Sequence, residues 1–585
     1  MTKRWTLAGT TAAMLIALGG AAPDPVPQIR RGAPPVRIGA AQSQWATFRD
    51  GYIEGLFRLD PAAAVYQGRH DFDGQLPDWS EAGLQRQADF FRAAITKARA
   101  VPTPGMSAQD RFERDYLIQT AEGRLFWLAN ADFPHSNPAW YVGNGLDPNV
   151  YIARNYAEPA VRMKAATRFL RAVPAAAAQI RANLKTPMPA SFVAYGQAGF
   201  DGFADYYSGD LIAAFAGVKD AGAQSDLKDA ARAASGAMRD LGRWMKELKA
   251  RAPADGYALG AARFTRMVNA TEGVDTSLDA LEAAGRADLA RNRAALEAAC
   301  KLYAAGATIP ACVAKMNAVK PVDGPVAEAR RQIPTLRAFV VAKDLVSIPG
   351  TEQALVEESP PYNRQNLAYI DPPGPFDTGL PSVYYISPPD PAWDQATRDA
   401  FVPGKDSLLF TSIHEVMPGH FVQFLHANRS PSLFGRLFVG YAFAEGWAHY
   451  AEEMMWEAGY GAGDPAVHIG QLSNALLRDC RYLSAIGLHA RGMTQDQSRR
   501  MFVEQCYQDE GMARQQSARG TYDPAYLNYT MGKLLIRRLR TDWTAKHGGR
   551  KAWKTFHDRL LSYGGPPIPL LRREMMGEAT ARAVF

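Results

Sequence analysis

One period runs through most of this chain and restricts what it can become. Over residues 41–58, 79–99, 106–130, 160–184, 225–250 and 276–305, apolar residues recur three and four positions apart in segments rich in Ala, Leu, Arg, Glu and Lys. That is the pattern of helices with one buried stripe. Asp78-Trp79-Ser80-Glu81 and Thr276-Ser277-Leu278-Asp279 offer side-chain oxygens where helices would start. The period returns from Ser412 to the end, broken near 459–464 and at Gly564-Gly565-Pro566-Pro567. Between about 348 and 403 it fails: proline and glycine are dense, and the best strand candidate is the run Ser382-Val383-Tyr384-Tyr385-Ile386-Ser387. The expectation is a mostly α fold with a small β-ribbon. It divides into an N-terminal helical region over 41–345 and a second helical region over 346–585. With 585 residues, 47% of them hydrophobic, the chain has ample core and room for more than one subdomain.

The N-terminus reads as an address. Lys3 and Arg4 precede an apolar stretch over about 5–18 and the small residues Gly19-Gly20-Ala21-Ala22, which predicts a signal peptide over 1–21. Residues 22–40 are Pro-rich and polar, a linker. No later segment approaches roughly 18 uninterrupted apolar residues, and no cysteine follows the signal to take a lipid. The mature chain is expected to be exported, periplasmic or secreted, with no stable membrane insertion. Formal net charge is +7, and the basic residues are scattered among acidic ones, so no nucleic-acid partner is expected. Arg537-Arg538-Leu539-Arg540 is better explained as the solvated side of a helix.

Four cysteines in an exported protein can pair. Cys300 and Cys312 flank residues 304–310, which look like the turn of a helical hairpin, and a disulfide is expected there. Cys480 and Cys506 lie in helical-looking segments and are read as buried thiols with no metal role.

The chemistry-bearing stretch is His414-Glu415-Val416-Met417-Pro418-Gly419-His420, followed by Glu445-Gly446-Trp447-Ala448-His449-Tyr450-Ala451-Glu452. Two histidines, a glutamate beside the first and a carboxylate one helix later make the ligand and base set of a metal-assisted hydrolase. In the usual H-E-x-x-H arrangement the histidines share a helix face at i and i+4. Here Pro418 occupies i+4, and the second histidine, at i+6, would be turned about 240° away on an undistorted helix. Proline removes a backbone donor and glycine tolerates unusual dihedrals, so Pro418-Gly419 predicts a kink or bulge that swings His420 back. The expected ligands of one zinc ion are His414, His420 and Glu445. Residues 445, 449 and 452 share a helix face, so Glu452 competes for the metal but is preferred behind a ligand histidine, with His449 beside it. Glu415 cannot easily reach the same ion as His414, which leaves it free as general base.

These motifs resemble the bacterial family known as domain of unknown function 885, which is similar to gluzincin-type zinc peptidases of mostly helical fold. The resemblance rests on His414-Glu415 through Pro418-Gly419-His420 with Gln423, on Glu445-Gly446-Trp447-Ala448 with Tyr450 and Glu452, and on Cys480-Arg481 with Gly487-Leu488-His489-Ala490. It continues through Tyr529 with Gly532, and Leu560-Leu561 through Gly564 and Pro569-Leu570, spanning roughly 41–580. Many members have a further histidine after Pro-Gly-His, where this chain has Phe421; the shared histidine is matched by His420. The resemblance implies His489 and Tyr529 near the metal, where either could donate to a tetrahedral oxyanion. Arg519 is a candidate clamp for a substrate carboxylate, and Tyr385 a candidate at a sheet edge that pairs with substrate.

The reading is an exported zinc metallopeptidase with a central cleft between helical halves, acting on short peptides. The alternatives are a non-catalytic metal-binding helical protein and a zinc hydrolase of another amide or ester.

Overall fold

Serine side chains begin two helices where the sequence places them. Ser80 Oγ accepts the amide hydrogen of Gly83 ahead of the helix Glu81–Ala100, and Ser277 Oγ accepts that of Ala280 ahead of Leu278–Tyr303. Each satisfies an amide that a first helical turn leaves without a partner. The computed structural model describes residues 40–585 apart from 250, 361–363, 365, 366, 390, 392, 393 and 578–584. The signal peptide expected over 1–21 and the linker as far as residue 39 lie outside the described residues; residue 40 already opens the helix Ala40–Leu59.

The remaining expected helices appear as Ala108–Leu125, which runs into a single π-helical turn at Phe126–Asn130, and as Pro159–Asn183 and Ala221–Lys249. In the last of these, Leu227, Ala231, Ala234, Met238, Leu241 and Met245 form the buried stripe that faces Pro159–Asn183 and Ala190–Ser208. The Ala190–Ser208 helix was not visible as a period, because its apolar face is built from glycine and aromatic residues. Residues 40–585 form one compact unit, with helices from both sides of residue 345 in its core. No described helix is long and apolar enough to cross a membrane.

Four helices make the bed of the site: Leu278–Tyr303, Tyr441–Glu457, Pro465–Ala490 and Asn528–Ala545. The second and fourth touch through glycine. A Cβ on Gly532 would lie 1.8 Å from the Ala442 carbonyl oxygen, and one on Gly446 2.5 Å from the Gly532 backbone, so no side chain fits at either position. All four are tied by a buried ionic cluster. Lys533, fully buried, pairs with Asp288 and lies 3.5 Å from Glu453; Arg291 joins the same two carboxylates at 2.7 and 2.9 Å. Asn292 donates to Asp479 at 2.7 Å, which brings in the Pro465–Ala490 helix.

The ribbon expected around Ser382–Ser387 is a three-stranded sheet. Strands β1 (Leu355–Glu358), β2 (Ala368–Asp371) and β3 (Val383–Ile386) lie in the order β1-β3-β2, with β1 parallel and β2 antiparallel to β3. The run legible in the sequence is the central strand, buried at every residue. Its partners escaped notice because each is four residues long and stands among prolines.

Both cysteine pairs are bonded. Cys300–Cys312 closes the hairpin between Leu278–Tyr303 and Ile309–Asn317, with Cα atoms 5.8 Å apart. Cys480 and Cys506, expected as separate buried thiols, are also a disulfide. The chain turns back after Pro465–Ala490 through Gln495–Glu504, which lays residue 506 alongside residue 480.

Candidate metal centre

The helix carrying the first histidine does not bulge; it stops. Lys405–Glu415 ends one residue after His414, and a new helix, His420–Ala427, begins at the second histidine. Between them the Met417–Pro418 peptide bond is cis, and Gly419 takes φ −70°, ψ −130° while its amide reaches back to the Ile413 carbonyl at 2.9 Å. A Cβ at Gly419 would sit 1.8 Å from the His414 carbonyl oxygen, so the close approach admits glycine alone. The buried carbonyls of this turn find a donor. Trp447 Nε1–H, fully buried, donates to Pro418 O at 3.0 Å and to Gly419 O at 3.2 Å. The expectation of a continuous distorted helix is thus corrected: Pro418 and Gly419 separate two helices and set their imidazoles 4.8 Å apart at nearly right angles.

Glu445 comes from the first turns of Tyr441–Glu457. Its Oε2 lies 3.2 Å from His414 Nε2 and 3.6 Å from His420 Nε2, and one ligand atom from each of the three residues falls within 4.8 Å of the others. About two helical turns later on the same helix, fully buried Glu452 stands behind His414 and accepts its Nδ1–H at 2.7 Å. With Glu452 an acceptor only, Nδ1 carries the proton of that hydrogen bond, and Nε2 is the atom turned toward Glu445 and the centre. Arg478, from Pro465–Ala490, reaches both Glu452 oxygens at 3.0 Å and neutralises the carboxylate. Behind the other histidine, Gln423 Oε1 lies 3.4 Å from His420 Nδ1. His449, expected beside Glu452, is fully buried but stays 4.0 Å from Glu452 and supports no ligand directly.

Glu415 points its Oε2 at the edge of the sheet, accepting the Ile370 amide hydrogen of β2 at 3.1 Å. Burial pushes its carboxyl above the usual range, partly offset by His414 and His420. Glu445 goes the other way: burial would raise it, but hydrogen bonds with both histidines hold it well below the ordinary value. Burial and the Arg478 guanidinium press the His414 imidazole down, and Glu445 with Glu452 outweigh them and carry it up to about 9. Two carboxylates, one held ionised between histidines and one raised beside them, are the division of labour expected of ligand and base.

The three residues and Glu415 line a cavity of about 1210 Å³. One wall is β2, through Ala368, Tyr369 and Ile370; another is Tyr441, Arg519 and Tyr529; Trp127, Trp140 and Tyr195 come from the N-terminal region. Tyr529 lies with its ring 6.4 Å from that of His414, and burial together with Glu445 pushes its hydroxyl above the ordinary value, which keeps it a donor. Arg519 is in the wall, held by Asp523 at 2.9 Å and donating to the Tyr441 hydroxyl at 2.9 Å.

Two expected residues are not brought here. His489 is eleven residues beyond Arg478 on one helix, about 16 Å along its axis at 1.5 Å per residue. It donates from Nε2 to Gly520 O at 2.7 Å and stacks on Phe264, away from the cavity. Tyr385 is on the central strand, packed across from Tyr369, and it is β2 that forms the sheet edge at the cavity. Phe421, which follows His420, is buried in the hydrophobic core and is not part of the cavity lining. Sequence reasoning missed Arg478, the edge strand β2 and Tyr441. The last was within reach, since it stands four residues before Glu445 on the same helix face.

Fold and site together define a helical protein whose buried His-His-Glu cluster opens on a cavity built from both ends of the chain. It belongs to the bacterial protein family of unknown function DUF885, which matches residues 61–575. Among solved structures it is similar to a "putative lipoprotein of unknown function" from Shewanella oneidensis, with TM-score 0.75 and 24% identity over 91% of this chain and 99% of the other. It is likewise similar to a "putative lipoprotein" from Colwellia psychrerythraea, with TM-score 0.76 and 17% identity over 92% of this chain and 99% of that one. At these identities the likeness shows the fold. No curated protein matches the chain.

Proposed function

We propose that this protein is an exported zinc metallopeptidase that hydrolyses short peptides. The observation that carries the reading is the spacing of the ligand atoms. Ligands about 2.05 Å from a tetrahedral zinc stand about 3.3 Å from one another; the Glu445 oxygen lies 3.2 and 3.6 Å from the two imidazole nitrogens, and all three ligand atoms fall within 4.8 Å of one another. Two neutral imidazoles and one carboxylate are also the donor set that zinc takes in catalytic sites, with a fourth position left over. Bound there, zinc would supply a Lewis acid that polarises a carbonyl and acidifies water.

The chain's own residues supply the rest. Glu415 takes a proton from the attacking water and delivers it to the leaving amine, so that the C–N bond breaks and the water oxygen ends in the new carboxylate. Its raised carboxyl, buried and beside the cluster, is suited to hold that proton in transit. The Tyr529 O–H donates to the charge that develops on the carbonyl oxygen. Along β2, Leu367, Tyr369 and Asp371 turn their hydrogen-bonding groups toward β3, and Ala368 and Ile370 turn theirs outward. That outward row lines the cavity beside Glu415 and can take an extended peptide as a further strand. A cavity of about 1210 Å³ walled by aromatic side chains suits a peptide of a few residues. Export is supported by the signal-like N-terminus and by relatives described as lipoproteins.

The test is Glu415→Gln. The variant is expected to bind zinc one to one and to lose hydrolysis of a short-peptide panel read by mass spectrometry. Unchanged turnover would remove Glu415 as base, and a wild-type protein that binds no zinc would remove the reading.

A further inference from the structure

Peptides offer an active site two ends, and the cavity's charge distinguishes them. Among the described residues lining it, Arg519 is the one arginine or lysine, while the carboxylates beside the cluster are committed, Glu445 to the two histidines and Glu415 to β2. The Arg519 guanidinium is fixed in place. Nε donates to Asp523 at 3.0 Å, and Nη2 contacts Asp523 and the Tyr441 hydroxyl, each at 2.9 Å, which leaves the Nη1 edge without a hydrogen-bond acceptor among the described residues. The Tyr441 oxygen uses its acceptor capacity on Arg519, so its own proton remains to be donated. Two donors therefore stand together on one wall, the arrangement that receives a carboxylate.

We propose that Arg519 and Tyr441 form the subsite for the terminal carboxylate of a short peptide, which directs cleavage to the carboxyl end. The proposal rests on the peptidase reading for the cleavage but not for the binding. Distance supports it. The guanidinium carbon is 5.9 Å from the Tyr529 ring centre, which is 6.4 Å from that of His414. At roughly 3.5 Å per extended residue, that path holds no more than about three residues between the carboxylate and the cluster. Substrate would then span the site, its upstream backbone along β2 on the Glu415 side and its terminus at Arg519 on the Glu445 side. The products would be an amino acid, dipeptide or tripeptide released from the carboxyl end.

The experiment is a calorimetric titration of the Glu415→Gln protein, with and without zinc, using N-acetylated tetraalanine as free acid and as amide. The acid is expected to bind roughly tenfold to a hundredfold more tightly than the amide. Arg519→Met should erase that preference, Arg519→Lys should keep part of it, and Tyr441→Phe should weaken the acid and leave the amide unchanged. Should Arg519→Met fail to fold, the lysine and phenylalanine variants carry the test. Equal binding of acid and amide, or a preference that survives Arg519→Met, overturns the subsite. The parallel reaction with wild-type protein separates the two claims. Acid preference without any cleavage would sink the peptidase reading alone, and equal cleavage of acid and amide would sink the subsite alone.

Discussion

Replacing Glu452 with glutamine tests whether the buried carboxylate behind His414 matters to the metal centre. The substitution keeps the shape and an oxygen that can still accept the His414 Nδ1 proton, now 2.7 Å away, and removes only the charge. A hydrogen bond to a charged partner contributes about 1.5–3 kcal/mol and a neutral one about 0.5–1.5, so the loss at the imidazole is about 1.5 kcal/mol. Since about 1.4 kcal/mol is tenfold, zinc affinity should fall roughly tenfold, the lower end of the range for residues that orient metal ligands. The second consequence is larger. Arg478 touches both Glu452 oxygens at 3.0 Å and is itself buried, so the variant strands a guanidinium against an amide. Breaking a buried pair from one side costs about 3 kcal/mol or more.

Competition with a chelator of known affinity reads the first effect, and thermal unfolding of the metal-free protein reads the second. The two separate in the double variant Glu452→Leu with Arg478→Met, which removes both charges. Its melting temperature should exceed that of Glu452→Gln, because no charge is left unpaired. Zinc affinity of Glu452→Gln within twofold of wild type would refute the claim that this carboxylate orients His414 for a cation. A double variant less stable than the single would refute the account of the stranded arginine.

Two further predictions concern protons and sulfur. His414, carried to about 9 by its two carboxylates, must give up a proton when a cation takes Nε2. At pH 7.5 zinc binding should release close to one proton from this group, seen as a dependence of the calorimetric enthalpy on buffer ionisation, and affinity should climb with pH up to about 9 and then level. The sign for the metal-free fold is opposite. A raised imidazole contributes stability fully below its ordinary value of 6.5, and that contribution is lost as pH rises through about 9. Cys480→Ser with Cys506→Ser opens a loop of 26 residues, for which chain entropy gives about 3.5 kcal/mol, to be measured by denaturant unfolding; a loss under 1 kcal/mol would assign the pair no structural weight.

How much of this could be read from sequence follows from how far apart the partners stand in the chain. His414, Glu415 and His420 are within seven residues, and Glu445 and Glu452 share one helix, so ligand chemistry and helical spacing sufficed to name them together. Helix starts at Ser80 and Ser277 were equally legible, because the cap is a contact over three residues. The edge strand was not. Four residues, Ala368–Asp371, gain their conformation from pairing with β3 and their role from one amide aimed at Glu415, 45 positions away. Arg478 was hidden in the same way, since nothing local to it announces Glu452. His489 illustrates the converse: a histidine in a motif on the correct helix, placed about three turns too far along to reach the site.

The break at Pro418-Gly419 shows why the motif has its unusual spacing. On a single helix two ligand histidines share a face, and the carboxylate next to the first is pointed by that helix alone. Here the two imidazoles come from separate helices whose junction is held by Trp447, two residues after Glu445. Glu445 and Trp447 lie on one helix, so the element that donates the carboxylate also fixes the angle between the histidines. The glycines at 446 and 532 then set that helix directly against the one that carries Tyr529. The candidate ligand Glu445, the turn between the two histidines and the helix of Tyr529 therefore all meet one element, the Tyr441–Glu457 helix.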